Sequence, residues 1–435
     1  MKTYFFIKAR FRYLTFFLLS AFAMNRSVSQ DFTQYPVYSS EDLGANYSKV
    51  ATVLKVWAPS AGQVLVNIYT SGFGGTPKSQ MYMQKTDQGV WKLIMEGDQK
   101  GLFYTYQIRM NDKWLDETVD PYAKFVGLNG RRAMIGDLSD TNPAGWDKDK
   151  SAKYGDPVDA VIYELHVRDA TISENSSAEN KGKYLGLTEH GKLNGHGEAT
   201  GIDHIKELGI THVHLLPTYD FFSIDESQPD KPQYNWGYDP LNYNVPEGSY
   251  ATNASDPIIR IREFKKMIKT FHDNGVNVVM DMVYNHTMFT EKSWFNLLVP
   301  GYYYRQNADG GFSNATACGN ETASERPMMR KFIIESLLYW LKEYHIDGFR
   351  LDLMGVHDLA TVNELASKLR EIKPDILLYG EGWTAGASPY PEELRAVKKN
   401  AYKLDGVAVF SDDIRDGIKG SVFDHADKGF VSGKK

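Results

Sequence analysis

Asn277-Val278-Val279-Met280-Asp281-Met282-Val283-Tyr284-Asn285-His286 starts as a short apolar run and ends in an amide and an imidazole, with an acid between. The run Asn277–Val283 reads as a strand, and what surrounds it repeats its rhythm. Upstream, Ile202, Ile205 and Leu208 mark a helix closed by Gly209 and followed by an apolar run at 211–216. Ile261, Phe264, Ile268 and Phe271 mark the next helix, closed by Gly275, which leads into the quoted strand. Downstream, Ile334, Leu337, Leu338 and Leu341 precede a strand around 348–353, and Val362, Leu365, Leu369 and Ile372 precede one at 376–379. Ala160-Val161-Ile162-Tyr163 opens the series and Val407–Phe410 is its sixth strand. Amphipathic helices alternating with short apolar strands are the pattern of parallel βα units.

Such units build either an open doubly wound sheet or a (β/α)8 barrel. No glycine-rich phosphate loop opens any of the helices, which weakens the nucleotide-binding alternative. The polar residues favour the barrel, where catalytic groups stand at the C-terminal ends of several strands. Those ends read Glu164-Leu165-His166, Pro217-Thr218-Tyr219-Asp220, Asp281 to His286, Arg350 to Asp352, and Glu381-Gly382-Trp383. The expectation is an α/β barrel rim on which carboxylates and imidazoles converge.

Asp352 and Glu381 are the leading pair for chemistry. Retaining cleavage of a glycosidic bond needs two carboxyls about 5–5.5 Å apart, one attacking and one protonating the leaving oxygen. Consecutive strands lie about 4.8 Å apart, so groups at their ends can face one another across a single bond. Arg350 is two residues before Asp352 and points to the same side, where its guanidinium can hold the carboxylate ionised. Glu381 follows an apolar strand and precedes Trp383, surroundings that raise a carboxyl pKa and suit an acid. His286 is placed to donate to sugar hydroxyls.

Before the barrel, the chain from about residue 50 to 136 alternates with period two, as in Val64, Val66, Ile68 and Tyr104, Tyr106, Ile108, with Ser71-Gly72, Gly74-Gly75 and Asn111-Asp112 as turns. Residues 30–136 read as an N-terminal β-sandwich. Residues 137–157, rich in Asp, Lys, Gly and Pro, read as a linker, and 158–435 as the barrel. Residues 1–29 read as a signal peptide: Lys2, Lys8, Arg10 and Arg12 precede an apolar run from Leu14 to Met24, and Ser27-Val28-Ser29 offers small residues for cleavage. An exported, periplasmic or extracellular protein is expected, with no membrane span after the signal is removed. The net charge of −6 without a basic block gives no source for nucleic-acid binding. The single cysteine, Cys318, forms no internal disulfide. No cofactor is required by this chemistry, no EF-hand spacing indicates calcium, and no metal ligands are assigned.

Taken together, Asp281–His286, Gly348-Phe349-Arg350-Leu351-Asp352 and Gly380-Glu381-Gly382-Trp383 resemble, in order and spacing, the conserved blocks of the α-glucan enzymes of glycoside hydrolase family 13. Tyr234-Asn235-Trp236-Gly237-Tyr238-Asp239-Pro240 resembles the signature of the type I pullulanases within that family. Residues 183–189 and 410–416 look alike in the same way, and Trp57-Ala58-Pro59 marks a sandwich similar to the starch-binding type, carbohydrate-binding module family 48. The resemblance implies hydrolysis of α-1,6 bonds in pullulan and branched α-glucans. It implies Asp352 as nucleophile, Glu381 as acid/base, Arg350 and His286 as contacts to the nucleophile and sugar, and Tyr238 as a platform for glucose. Asp281, Asn285 and Trp383 are carried over as supporting substrate contacts.

One departure stands out. The family's third acid follows a histidine at the end of the seventh strand, and the two His-Asp pairs here, His272-Asp273 and His357-Asp358, lie elsewhere. The expectation is therefore a barrel of about six βα units, truncated, with a non-catalytic α-glucan-binding protein as one alternative. A neopullulanase or α-amylase acting on α-1,4 bonds is the other, disfavoured by the Tyr234–Pro240 segment.

Overall fold

The computed structural model describes residues 31–434; the expected signal peptide lies outside them. Two antiparallel sheets come first. One joins Gly44–Tyr47, Ala51–Trp57, Val90–Glu96 and Gln84–Lys85, and the other Ser79–Tyr82, Gln63–Tyr69, Phe103–Met110 and Lys113–Trp114. Alternation explains the first: Thr52, Leu54 and Val56 point inward while Ala51, Val53 and Lys55 are half-buried. In the second, Val64, Val66 and Ile68 fill the core, and Leu65, Asn67 and Tyr69 on the other face are covered as well. The sandwich is seated on the second unit. Trp57 meets Tyr302 with ring centroids 4.7 Å apart, and the Tyr122 hydroxyl donates to Glu335 at 3.0 Å.

The second unit is a parallel sheet of six strands whose spatial order follows the chain: β1 (Ile162–Leu165), β2 (His212–Leu215), β3 (Asn277–Met282), β4 (Gly348–Leu351), β5 (Leu377–Gly380) and β6 (Ala408–Val409). The helices α1 (Gly201–Glu207), α2 (Pro257–Asp273), α3 (Pro327–Tyr344) and α4 (Leu359–Ile372) return the chain between the first five. Asp256 and Asp358 cap α2 and α4 through their carboxylates, and proline opens α2 and α3. The fold is the expected barrel architecture in six-stranded, open form. Among the described residues neither β1 nor β6 has a strand on its outer side, and Val161, Ile162 and Tyr163 are exposed there. Such an edge invites pairing by other chains.

Residues 137–157, read as a linker, are fastened to the barrel along their length. Trp146 stacks on His345 at 4.3 Å, and Asp149 meets both His272 (2.9 Å) and His345 (2.8 Å). The Lys265 ammonium donates to Thr141 and Asn142 at 2.9 and 2.6 Å. A polar, glycine-containing composition signals the absence of regular structure, and says nothing about how many contacts the segment makes.

The stretch between β2 and α2 holds an element that sequence reasoning missed, an antiparallel pair of Tyr219–Phe221 with Pro240–Pro246. Its longer strand does carry a period-two signal, Leu241, Tyr243 and Val245 against Asn242 and Asn244, but prolines bound that run, its partner is only three residues long and the register between them is irregular. Beneath it, Asp220, Glu226 and Glu247 are buried together with the fully buried Arg260, whose guanidinium reaches Asp220 and Glu226 at 3.1 Å each. Burial, and then Glu226, push the Asp220 carboxyl up to about 7. The three acids present oxygens within 4.8 Å of one another, a donor set of the kind hard cations take. Among these acids Arg260 supplies one positive charge. Removing that charge strands buried carboxylates. Arg260→Met is expected to cost about 3–5 kcal/mol of stability in denaturant unfolding, and a loss below about 1 kcal/mol would show that the cluster is not held by its guanidinium.

Candidate active site

The C-terminal ends of β3, β4 and β5 bring three carboxyls to one guanidinium. Arg350 and Asp352 lie two residues apart at the end of β4 and project to the same side. The parallel register sets Asp281 opposite Arg350 on the neighbouring strand. Arg350 Nη1 donates to both oxygens of Asp281 at 2.8 and 2.9 Å and to Asp352 Oδ1 at 2.7 Å, while Nη2 pairs with Glu381 Oε1 at 2.7 Å. Four contacts from two nitrogens fix all three acids about a common point.

Each acid has a different environment. Asp281 is fully buried, which works against its charge, yet the Arg350 guanidinium beside it, together with His214 and Tyr238, holds its carboxyl below the usual range. His214 Nε2 stands 3.3 Å from Asp281, and the Tyr238 hydroxyl donates to it at 2.7 Å. Asp352 is pushed up to about 7, first by burial and then by the charge of Asp281, with Arg350 opposing. Asn285 donates to the Asp352 carboxylate at 2.9 Å and to its backbone oxygen at 2.8 Å, which orients the side chain. Glu381 is the most open of the three. Sequence reasoning gave it apolar surroundings, whereas its oxygens are taken by Arg350 and by the backbone N–H of Leu353 at 3.0 Å.

That N–H comes from a strained residue. Leu353 follows Asp352 with φ 39° and ψ 47°, the left-handed region that side chains other than glycine rarely enter. The turn directs the amide at Glu381, so the chain holds the acid from two sides. Just beyond it, Gly355 packs against Trp383, where a Cβ would meet the Trp383 carbonyl at 2.5 Å.

The remaining expected residues fall around this cluster. The Tyr238 ring lies 5.8 Å from the Arg350 guanidinium. Its hydroxyl is hard to ionise, because of burial and then Asp281. His286 is buried, and burial pushes its imidazole down to about 4, so it is neutral. Its Nδ1 stands 2.6 Å from Asn285 Oδ1 and its Nε2 3.0 Å from the Tyr238 carbonyl. A neutral imidazole has a single N–H, so it donates to only one of these two acceptors, and donation to a sugar requires giving up that bond. Trp383 lies beside Phe410, with ring centroids 6.4 Å apart, and the Phe410 ring in turn is 6.0 Å from the Arg350 guanidinium. Asp273 pairs with Lys269 on α2, and Asp358 caps α4 and pairs with Arg330, so neither His-Asp pair brings an acid to the cluster.

Sequence reasoning missed His214, the Leu353 amide and Tyr379, whose ring lies 5.8 Å from His214. His214 was legible as a polar residue near the end of a parallel strand. A backbone amide leaves no mark in a sequence.

The raised Asp352 carboxyl gives a pH signature. An unfolded aspartate releases its proton near 3.9, the folded one near 7, so the folded state holds the extra proton between those values. Stability contributed at low pH is lost as pH rises through 7. Asp352→Asn removes that loss and is expected to gain on the parent by roughly 2–4 °C more at pH 8 than at pH 5 in thermal unfolding. An equal difference at both pH values would show that Asp352 titrates as it does in the unfolded chain.

Comparison with known proteins gives the following. Residues 42–123 match carbohydrate-binding module 48 (isoamylase N-terminal domain), and residues 137–306 match the alpha amylase catalytic domain. A pullulanase of Bacillus subtilis (strain 168) is 43% identical over 399 residues, covering 91% of this chain and 54% of its own length. A chloroplastic pullulanase 1 of Arabidopsis thaliana is 34% identical over 448 residues, covering 90% and 45%. Among solved structures, a Paenibacillus barengoltzii pullulanase in complex with maltohexaose and alpha-cyclodextrin superposes with a TM-score of 0.90 at 51% identity, over 92% of this chain and 62% of that one. The chain thus spans about half the length of the curated relatives it matches.

Proposed function

For a chain that belongs to the alpha-amylase family, we propose hydrolysis of α-1,6-glucosidic bonds in pullulan and branched α-glucans with retention of configuration. The observation that carries the reading is the Arg350 guanidinium shared among Asp281, Asp352 and Glu381. Asp352 attacks the anomeric carbon while the Glu381 carboxyl gives its proton to the leaving glycosidic oxygen. The glycosyl group is then esterified to Asp352. In the second step the Glu381 carboxylate takes a proton from water, the water oxygen bonds to the anomeric carbon, and Asp352 leaves as a carboxylate. Three acids on one guanidinium carry an excess of negative charge, which favours one proton within the cluster near neutrality. Reaction needs that proton on Glu381, the acid open to a leaving group, with Asp352 ionised by Arg350 and Asn285. Tyr238 offers its ring to the apolar face of the glucose at the cleaved bond. His286 and Asn285 order Tyr238 and Asp352 respectively, and Trp383 lines the rim.

A second reading, glucan binding without turnover, is favoured by one observation: among the described residues no acid outside the Arg350 cluster is delivered by a His-Asp pair. Both readings share an α-glucan partner. Product analysis separates them. Digestion of pullulan by the folded chain is expected to release maltotriose, and Asp352→Asn to lower the rate by at least about 10³-fold. Panose among the products would transfer the activity to α-1,4 bonds, and binding without product would favour the second reading.

Export is part of the proposal, supported by the basic residues and apolar run of the first 29 residues. Protein recovered outside the cytoplasm is expected to begin near Gln30; recovery of the uncut chain in the cytoplasm alone would contradict export.

A further inference from the structure

Next to Tyr238 the same loop carries two large aromatic residues that the fold leaves in solvent, Tyr234 (54% exposed) and Trp236 (58% exposed). Neither packs into the core, yet both are held in place. The Trp236 indole N–H donates to the Tyr234 hydroxyl at 2.6 Å, and that hydroxyl donates to Asp169 at 3.1 Å. The Arg168 guanidinium lies 5.5 Å from the Tyr234 ring centre, and the His166 ring 5.4 Å from it. Asn235, between them, is tied by its carbonyl to His166 (2.9 Å), by its side-chain oxygen to the Gly237 N–H (2.7 Å) and by its side-chain amide to Asp239 (2.9 Å). The end of β1 therefore fixes the aromatic pair, and little side-chain freedom remains to be lost on binding.

The two rings line an open groove of about 400 Å3 together with Ser223, Tyr238 and Asp239. Flat apolar faces beside a carboxylate and a hydroxyl are the chemistry of a sugar site, since a glucose ring offers an apolar face rimmed by hydroxyl donors. We propose that Tyr234 and Trp236 form a second glucose-binding platform, which takes a unit of an α-linked glucan beyond the one stacked on Tyr238. The inference rests on the glucan reading above and adds the residues that extend its site.

Maltotriose is the probe, titrated into the full chain by calorimetry and followed in parallel by tryptophan fluorescence. Trp236→Ala is expected to weaken binding about 10-fold, the loss of one stacked ring. Trp236→Phe, which keeps a stacking face, is expected to stay within about 2-fold of the parent while losing most of the fluorescence change. Because Trp236 is exposed, both variants are expected to retain the parent's circular dichroism. Unchanged affinity in Trp236→Ala, or an unchanged fluorescence response in Trp236→Phe, overturns the platform and leaves the glucan reading intact. A parent that binds no maltotriose overturns both.

Discussion

The site depends on one guanidinium. Without Arg350, the ends of β3, β4 and β5 would bring three carboxyls together with nothing but each other's negative charge nearby, and mutual repulsion would neutralise or disperse them. With it, Asp281 is held charged although buried, Asp352 is oriented, and Glu381 is drawn in from a more open position. A buried ion network is weak evidence for stability, because desolvation offsets much of the attraction. What this network provides is placement: the acids stand in fixed positions before any substrate arrives, and the proton they share is what has to be on Glu381 for reaction.

The surrounding structure supports the guanidinium and its acids in turn. Parallel pairing sets Asp281 opposite Arg350, Asn285 ties β3 to Asp352, and strain at Leu353 directs an amide to Glu381. Away from this centre the same chain repeats the device. Arg260 compensates the buried acids beneath the Tyr219–Phe221 and Pro240–Pro246 pair, and Asp149 and Asp347 gather His272 at the opposite end of the sheet. Charged groups are thus buried in clusters that bring opposite charges together.

The sequence revealed those parts whose cause is local. Six strands and their helices were legible because apolar spacing fixes them, and the convergence of Asp281, Arg350 and Asp352 because they stand at the ends of successive strands. The Tyr219–Phe221 and Pro240–Pro246 pair was missed although Leu241, Tyr243 and Val245 alternate with two asparagines, because prolines bound that run and its three-residue partner is too short to show a period. The environment of Glu381 was misread for a related reason. Its sequence neighbours are apolar, but its spatial neighbours are a guanidinium from β4 and a backbone amide from the turn after it, both products of strand pairing. His286 likewise showed its chemistry in sequence and its commitments to Asn285 and Tyr238 only in the fold.

The assignment of the attacking acid is tested most directly by trapping it. A ring-fluorinated α-glucosyl fluoride expels fluoride ion without acid assistance, and its ring fluorine slows the second step, so the glycosyl group accumulates on the nucleophile and can be located by peptide mass analysis. The account predicts a glycosyl ester on Asp352 in the parent chain and in Glu381→Gln, and none in Asp352→Asn. Label on Asp281 or Glu381, or label that persists in Asp352→Asn, would contradict it.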